Sequence, residues 1–306
     1  LPGLTTTNTD EALSSYLVNP FVAVDDNQRK KLGENFNMLG SFSWKIVDNL
    51  QFKTDLGLNK RNDLDYRFYG RSTYYANNRP AAENQGLPAL LIKDRKRESF
   101  RNANTLNYDF KNIMGDDHGL KLLLGQEIIV SKDNRITSEI QGFPRDFAFG
   151  TTINLTTQGV PLSVDNFYSP DDKLLSFFGR VNYDYKNRYL FTATYRIDGS
   201  SKFLGDNRWG YFPSAAAAWK ISEEEFLADT DWLNLLKLRL SYGQAGNNNI
   251  PAGQTVQNFE SSTTSYLNDI DNYWSAANIL ANPDLKWETT VSQNLGLDYS
   301  LFGGSV

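Results

Sequence analysis

The chain has 306 residues with no Cys, 2 Met and a single His, and 13% of its residues are aromatic. Lack of Cys excludes a disulfide framework, a Cys-ligated metal centre and a thiol nucleophile, and one His excludes a multi-His metal site and argues against a His-based triad. A net charge of -5 disfavours a basic nucleic-acid-binding surface, and no run of about 18 apolar residues offers a membrane-spanning helix, although a strand barrel needs apolar residues only at alternate positions.

The chain opens at Leu1 in polar, turn-rich sequence without a leader segment, and it closes on Phe302-Gly303-Gly304-Ser305-Val306, which reads as a turn entering another strand. It is expected to be an interior piece of a longer protein. A two-residue period begins near position 35. Phe36, Met38, Gly40, Phe42, Trp44 and Ile46 occupy one parity, with Asn37, Ser41, Ser43 and Lys45 on the other. After a turn at Asp48, Leu50, Phe52, Leu56 and Leu58 alternate with Gln51, Lys53, Asp55 and Asn59. This predicts an antiparallel hairpin with one apolar and one polar face.

The unit recurs, with Leu106, Tyr108 and Phe110 before a turn at 115–119 and Leu120, Leu122, Leu124, Ile128 and Val130 after it. Leu175, Phe177, Val181, Tyr183 and Tyr185 then oppose Arg180, Asn182 and Asp184, and the return strand carries Tyr189, Phe191, Tyr195 and Ile197 against Thr192, Thr194, Arg196 and Asp198. A fourth pair runs from Tyr211 to Ile221 and from Leu236 to Tyr242, joined by a short helix that Ser222 is expected to cap, with Glu223, Glu224 and Glu225 in its first turn. A last strand carries Val291, Leu295, Leu297, Tyr299 and Leu301.

About nine strands of roughly 10 residues or more result, longer than is usual in soluble sheets. Turns near 48, 116, 187 and 225 are compact, while the connections at 76–98, 132–173 and 247–284 are long. Trp44, Tyr183, Tyr185, Tyr189, Trp219 and Tyr299 lie near the compact-turn ends, where an aromatic belt at a membrane interface would place them. The expected fold is all-β, an antiparallel transmembrane β-barrel segment with short turns on one side and long loops on the other. A soluble sandwich using the same aromatics as core fits the composition too.

Several segments resemble the SusC/RagA-type TonB-dependent outer-membrane transporters. They are Arg196-Ile197-Asp198-Gly199-Ser200-Ser201-Lys202-Phe203, Asn207-Arg208-Trp209-Gly210-Tyr211-Phe212-Pro213-Ser214 and Leu236-Lys237-Leu238-Arg239-Leu240-Ser241-Tyr242-Gly243-Gln244-Ala245-Gly246-Asn247, with Asn282-Pro283-Asp284-Leu285-Lys286-Trp287-Glu288 further on. The resemblance covers most of residues 35–306. It implies a 22-stranded barrel in a Gram-negative, Bacteroidetes-like outer membrane, with periplasmic turns and extracellular loops. Residues 1–34 would then be an extracellular loop entering the barrel, and 35–306 part of its wall. The family's plug domain and TonB-contacting segment are not recognisable in the chain. The implied partners are membrane lipid, a SusD-like surface lipoprotein, TonB through the N-terminal region, and an oligosaccharide or peptide substrate.

In such a barrel the polar parity faces the lumen. Arg180, Asn182, Asp184, Arg196, Asp198, Lys237 and Arg239 would line the substrate path or contact the plug, although mutual ion pairing on a solvated face explains the same residues. Tyr266, Asp269, Asp271, Tyr273 and Trp274 mix carboxylates with aromatic faces that could stack on sugar rings, as could Tyr74 and Tyr75, but packed long loops share that composition. His118 beside Asp116 and Asp117 reads as a polar turn. No catalytic residue, metal site or cofactor is expected. The alternatives are a soluble glycan-binding module, a glycoside hydrolase and a passive porin-like barrel.

Overall fold

The computed structural model describes residues 20–77, 86–110, 115–168, 170–227, 230, 232–251, 254–257, 259–263, 272–276 and 280–302. Its strands are β1 (Asn27–Val47), β2 (Leu50–Tyr69), β3 (Ala89–Asp109), β4 (His118–Gln141), β5 (Val160–Tyr168), β6 (Asp172–Tyr185), β7 (Tyr189–Ser200), β8 (Trp209–Lys220), β9 (Leu233–Asn247), β10 (Phe259–Thr263), β11 (Asn272–Ala276) and β12 (Glu288–Leu301). Nine of them form one continuous path, β1-β2-β3-β4-β6-β7-β8-β9-β12, with β5 added to β4; β10 and β11 pair separately. The nine expected long strands are the nine on this path. Three shorter strands fall in stretches expected to be loop.

The boundaries differ where charge hides alternation. β1 starts at Asn27, ahead of the expected 35, and β3 starts at Ala89, inside the expected connection at 76–98. Lys93-Asp94-Arg95-Lys96-Arg97-Glu98 carries charge on both parities, so the period is invisible there although the backbone ladder is intact.

Two compact units emerge, the first at 1–37, 59–98 and 132–169, the second at 38–58, 99–131 and 170–306. In the first, Phe68, Leu90 and Phe143 are buried together, with Ile92, Ile140, Phe147, Phe149 and Ile153 against them. Asp26 clamps the end of β2, its carboxylate accepting from the Ser72 amide (2.9 Å) and hydroxyl (2.7 Å), and its carbonyl from the Gly70 amide (2.8 Å).

In the second unit the antiparallel register runs without interruption from β4 through β6, β7 and β8 to β9, and β9 pairs with β12 with one shift at the end. The β6–β7 turn places Lys186 and Asn187 at φ 52° and 56°, with the Arg188 amide donating to the Tyr185 carbonyl at 2.9 Å. Positive φ at both central residues makes a turn whose twist matches that of the strands it joins. Residues directly opposite across an antiparallel pair share a face, so the register sorts side chains into rows. One face carries Tyr185, Tyr189, Trp219, Leu238 and Leu297 in one row, and Tyr183, Phe191, Ala217, Leu240 and Leu295 in the next. Leu240 is 60% exposed and Leu295 76%, so this apolar face is uncovered by protein.

The β8–β9 connection is not the Ser222-capped helix. It consists of two short 3-10 turns, Ile221–Glu223 and Glu225–Leu227, and the first has no side-chain cap. The Ser222 hydroxyl is buried and makes no hydrogen bond among the described residues. Glu224 instead folds back, accepting from Arg188 Nη1 (2.7 Å), Tyr189 Oη (2.6 Å) and Trp219 Nε1 (2.8 Å). These three donors satisfy the carboxylate better than distant helix amides would, and hold its pKa below the ordinary carboxylate value, Tyr189 contributing most.

Candidate functional site

The opposite face of the second unit is the polar one. Cross-strand rows there include Leu123, Arg180, Thr194 and Ser214, then Lys121, Asn182, Thr192 and Ala216, then Gly119, Asp184, Leu190 and Ala218. Arg239 lies opposite Ala218, and Lys237 opposite Lys220 and Asp298. The register thus brings Arg180, Asn182, Asp184, Arg196, Asp198, Lys237 and Arg239 onto one face. Arg180 donates to Thr194 Oγ1 (3.1 Å), Thr192 to Asn182 (3.0 Å), and Arg239 to Asp298 (2.7 Å).

The densest part of this face spans β3, β4, β6 and β7. Arg196 Nε sits 2.8 and 2.9 Å from the two Asp198 carboxylate oxygens, and its Nη2 donates to Ser176 Oγ (2.8 Å) and Glu127 Oε2 (3.2 Å). Arg101 Nε closes the chain on Glu127 Oε1 at 2.6 Å. Glu127, Ser176 and Asp198 are buried, and the Arg196 guanidinium lies 5.3 Å from the centre of the Phe178 ring. Charged acceptors with charged donors make the stronger class of hydrogen bond, and each buried carboxylate here is paired. Arg196 to Ser200 forms the end of β7, and its buried Asp198 is held by protein.

Sequence reasoning found Arg196 and Asp198 but not Glu127, Ser176 or Arg101. Glu127 stands two residues from Gly125 and six from Lys121 on the polar parity of β4, a signal obscured by Leu123 and Ile129 on the same parity. Nothing in this network couples a nucleophile to a base. Its chemistry is that of a rigid, charged wall.

The remaining candidates do not gather into one site. Tyr75 stacks on Tyr69 at 4.0 Å and bonds Glu139, whereas its neighbour Tyr74 is 71% exposed. Tyr266, Asp269 and Asp271 lie outside the described residues. Tyr273 and Trp274 are placed by backbone alone, opposite Ser262 and Ser261 in the β10–β11 pair. Among the aromatic-belt candidates, Tyr185, Tyr189 and Trp219 form a stacked series with centroids 6.3 and 6.4 Å apart. Tyr183 Oη meets His118 Nδ1 at 2.8 Å, so His118 opens β4 as a strand residue. Trp44 and Tyr299 are exposed on β1 and β12. No group of three His, Cys, Asp or Glu that could hold a metal ion occurs among the described residues.

The sequence profile of the family described as TonB dependent receptor-like, beta-barrel matches residues 2–306. The chain belongs to this family. TonB-dependent receptor SusC of Bacteroides thetaiotaomicron is 45% identical over 142 residues, covering 45% of this chain and 14% of SusC. TonB-dependent receptor P26 of Formosa agariphila is 32% identical over 310 residues, 97% of this chain and 29% of P26. The fold matches that of the RagAB peptide transporter with a TM-score of 0.79 at 24% identity, covering 93% of this chain and 30% of the transporter chain. This receptor segment thus spans under a third of these relatives' length. Membership in a family of receptor barrels favours the barrel-segment reading of the fold over the soluble sandwich.

Proposed function

We propose that the chain is part of the barrel wall of an outer-membrane, TonB-dependent importer of an oligosaccharide or peptide, working with a SusD-like surface lipoprotein. The observation that carries this reading is the two-faced register of β6 to β9 and β12. A row of exposed Leu, Phe, Tyr and Trp on one face is a liability in water and suits lipid, whereas the ion-paired face suits a hydrated, plug-filled lumen. The stacked Tyr185, Tyr189 and Trp219, beside a compact turn, fit the interfacial belt. In the whole protein a plug domain and a TonB-contacting segment would supply gating and energy. The RagAB peptide transporter supports a peptide substrate, and the SusC relationship supports an SusD-like partner.

The test is a strain lacking the complete gene, grown on a panel of oligosaccharides and peptides as sole nutrient. Growth on at least one nutrient should be lost and return with a plasmid copy. Undiminished growth on every nutrient that the parent strain uses would sink the importer reading.

A further inference from the structure

The first compact unit contains a feature that the import reading does not require. A cleft of about 500 Å3 is lined by Arg29, Lys31, Arg61, Lys93, Arg95 and Arg135, against only two carboxylates, Asp63 and Asp65. The volume lies in the range of small-ligand sites. Every one of these eight residues is odd-numbered on its strand. They come from β1, β2, β3 and β4, at the ends away from the compact turns and toward the connections at 70–88 and 142–159.

The carboxylates act as braces. Asp65 accepts from Arg29 Nε at 2.8 Å, Asp63 from Arg61 Nε at 2.9 Å and from Arg97, and Asp133 from Arg95 Nε at 2.8 Å. A guanidinium has five N–H donors, so a pair that uses two of them orients the group and leaves others available. Lys31 and Lys93 make no ion pair among the described residues. An array built only for stability would balance its charges, since clustered cations repel one another. Here six cations face the two lining carboxylates and Asp133, in a chain whose net charge is -5.

We infer that this cleft is a binding site for an anionic, extended ligand carrying several carboxylate or sulfate groups. Neighbouring strands lie about 4.8 Å apart, so cations on four strands span on the order of 15 Å. That spacing suits a chain with repeated negative groups better than one small anion. An acidic oligosaccharide and an acidic peptide offer the same chemistry. This deepens the import reading by naming the charge of the substrate, and it rests on that reading for the ligand's origin.

The experiment uses the full-length protein in lipid nanodiscs. Binding of three probes is measured by calorimetry: hexagalacturonate, hexaglutamate and uncharged maltohexaose. At least one acidic probe should bind about tenfold more tightly than maltohexaose at low salt, and the advantage should fade at about 0.5 M salt. Whichever acidic probe binds identifies the source. The double variant Lys31→Glu/Lys93→Glu should weaken the acidic probe about tenfold or more, and Lys31→Gln/Lys93→Gln, which avoids new repulsion with Asp65, should weaken it less. Equal binding of acidic and neutral probes would overturn the proposal, as would acidic-probe binding that neither variant changes. Loss of thermal stability with acidic binding intact would also overturn it, because the cleft would then be holding carboxylates of the protein's own plug. Growth is scored separately. Normal growth of the deletion strain with intact acidic-probe binding refutes the importer reading and leaves the cleft standing.

Discussion

The two compact units solve the strand-pairing problem with different surfaces. In the second, the row from Tyr183 and Phe191 across to Leu240 and Leu295 is apolar, while the opposite face carries Arg180, Asn182 and Arg196. In the first, β3 runs through Lys93-Asp94-Arg95-Lys96-Arg97-Glu98 and is held by cross-strand pairs such as Lys60–Glu98 at 2.9 Å. It also has a small core of its own at Phe68, Leu90 and Phe143. The difference teaches what each solvent demands. Lipid requires an apolar residue at every second position and a fully paired backbone. In the first unit charge on both parities of β3 leaves the ladder intact, and the core at Phe68, Leu90 and Phe143 supplies burial.

The sharpest way to break this comparison is to put the same charge on both units. Leu240→Arg, in the middle of the apolar face, should destabilise the full-length protein by about 2–4 kcal/mol. Ile136→Arg, also exposed and apolar but in the first unit, should cost at most about 1 kcal/mol. Urea unfolding from lipid vesicles measures both, and equal costs would erase the distinction.

A smaller contrast separates the ion pairs. Glu127→Ala removes a buried carboxylate that holds both Arg101 and Arg196. Breaking a fully buried pair costs about 3–5 kcal/mol, but Arg101 is more than half exposed, so about 2 kcal/mol is expected. Asp63→Ala, in the more hydrated pairs of the first unit, should cost clearly less than Glu127→Ala. The same unfolding assay ranks them, and the reverse order would mean that the Glu127 network is solvated.

How much of this was legible in the sequence follows from the same contrast. Where Tyr183, Phe191 and Leu238 alternate with Asn182, Thr192 and Lys237, parity gave the strands, their two faces and the polar residues that the register then placed together. Where Lys93 to Glu98 is charged throughout, parity carried no information, and the turn-distal part of β3, from Ala89 to Glu98, was missed. The Arg101–Glu127–Arg196 chain links three strands, and no local pattern encodes a contact between residues 69 positions apart. The braced cleft was invisible for the same reason, since its cations arrive from four strands. The acidic run at Glu223–Glu225 misled because it satisfies helix capping by composition, while its real partners are Arg188, Tyr189 and Trp219.

That turn supplies the smallest predicted effect, and the one that is read by pH. Glu224 has its pKa lowered in the folded protein by hydrogen bonds from Tyr189 and then Trp219, with Arg188 adding to them. A depressed carboxylate stabilises the fold fully above its unfolded pKa, ordinarily about 4.3, and that contribution disappears as pH falls through the lower folded value. Acidification through the region below about 4.3 should therefore release the turn at 221–227 from Tyr189 and Trp219 while the paired strands persist. With 5-fluorotryptophan incorporated, the 19F resonance of Trp219, assigned by its absence in Trp219→Phe, should shift across this window. In Glu224→Gln the amide oxygen still accepts from the indole but cannot titrate, so the shift should vanish. An unchanged acid transition in Glu224→Gln would assign it to another carboxylate, and the turn would then be fixed by the β7–β8 ladder alone, as the 2.9 Å bond from the Lys220 amide to the Arg188 carbonyl already begins to do.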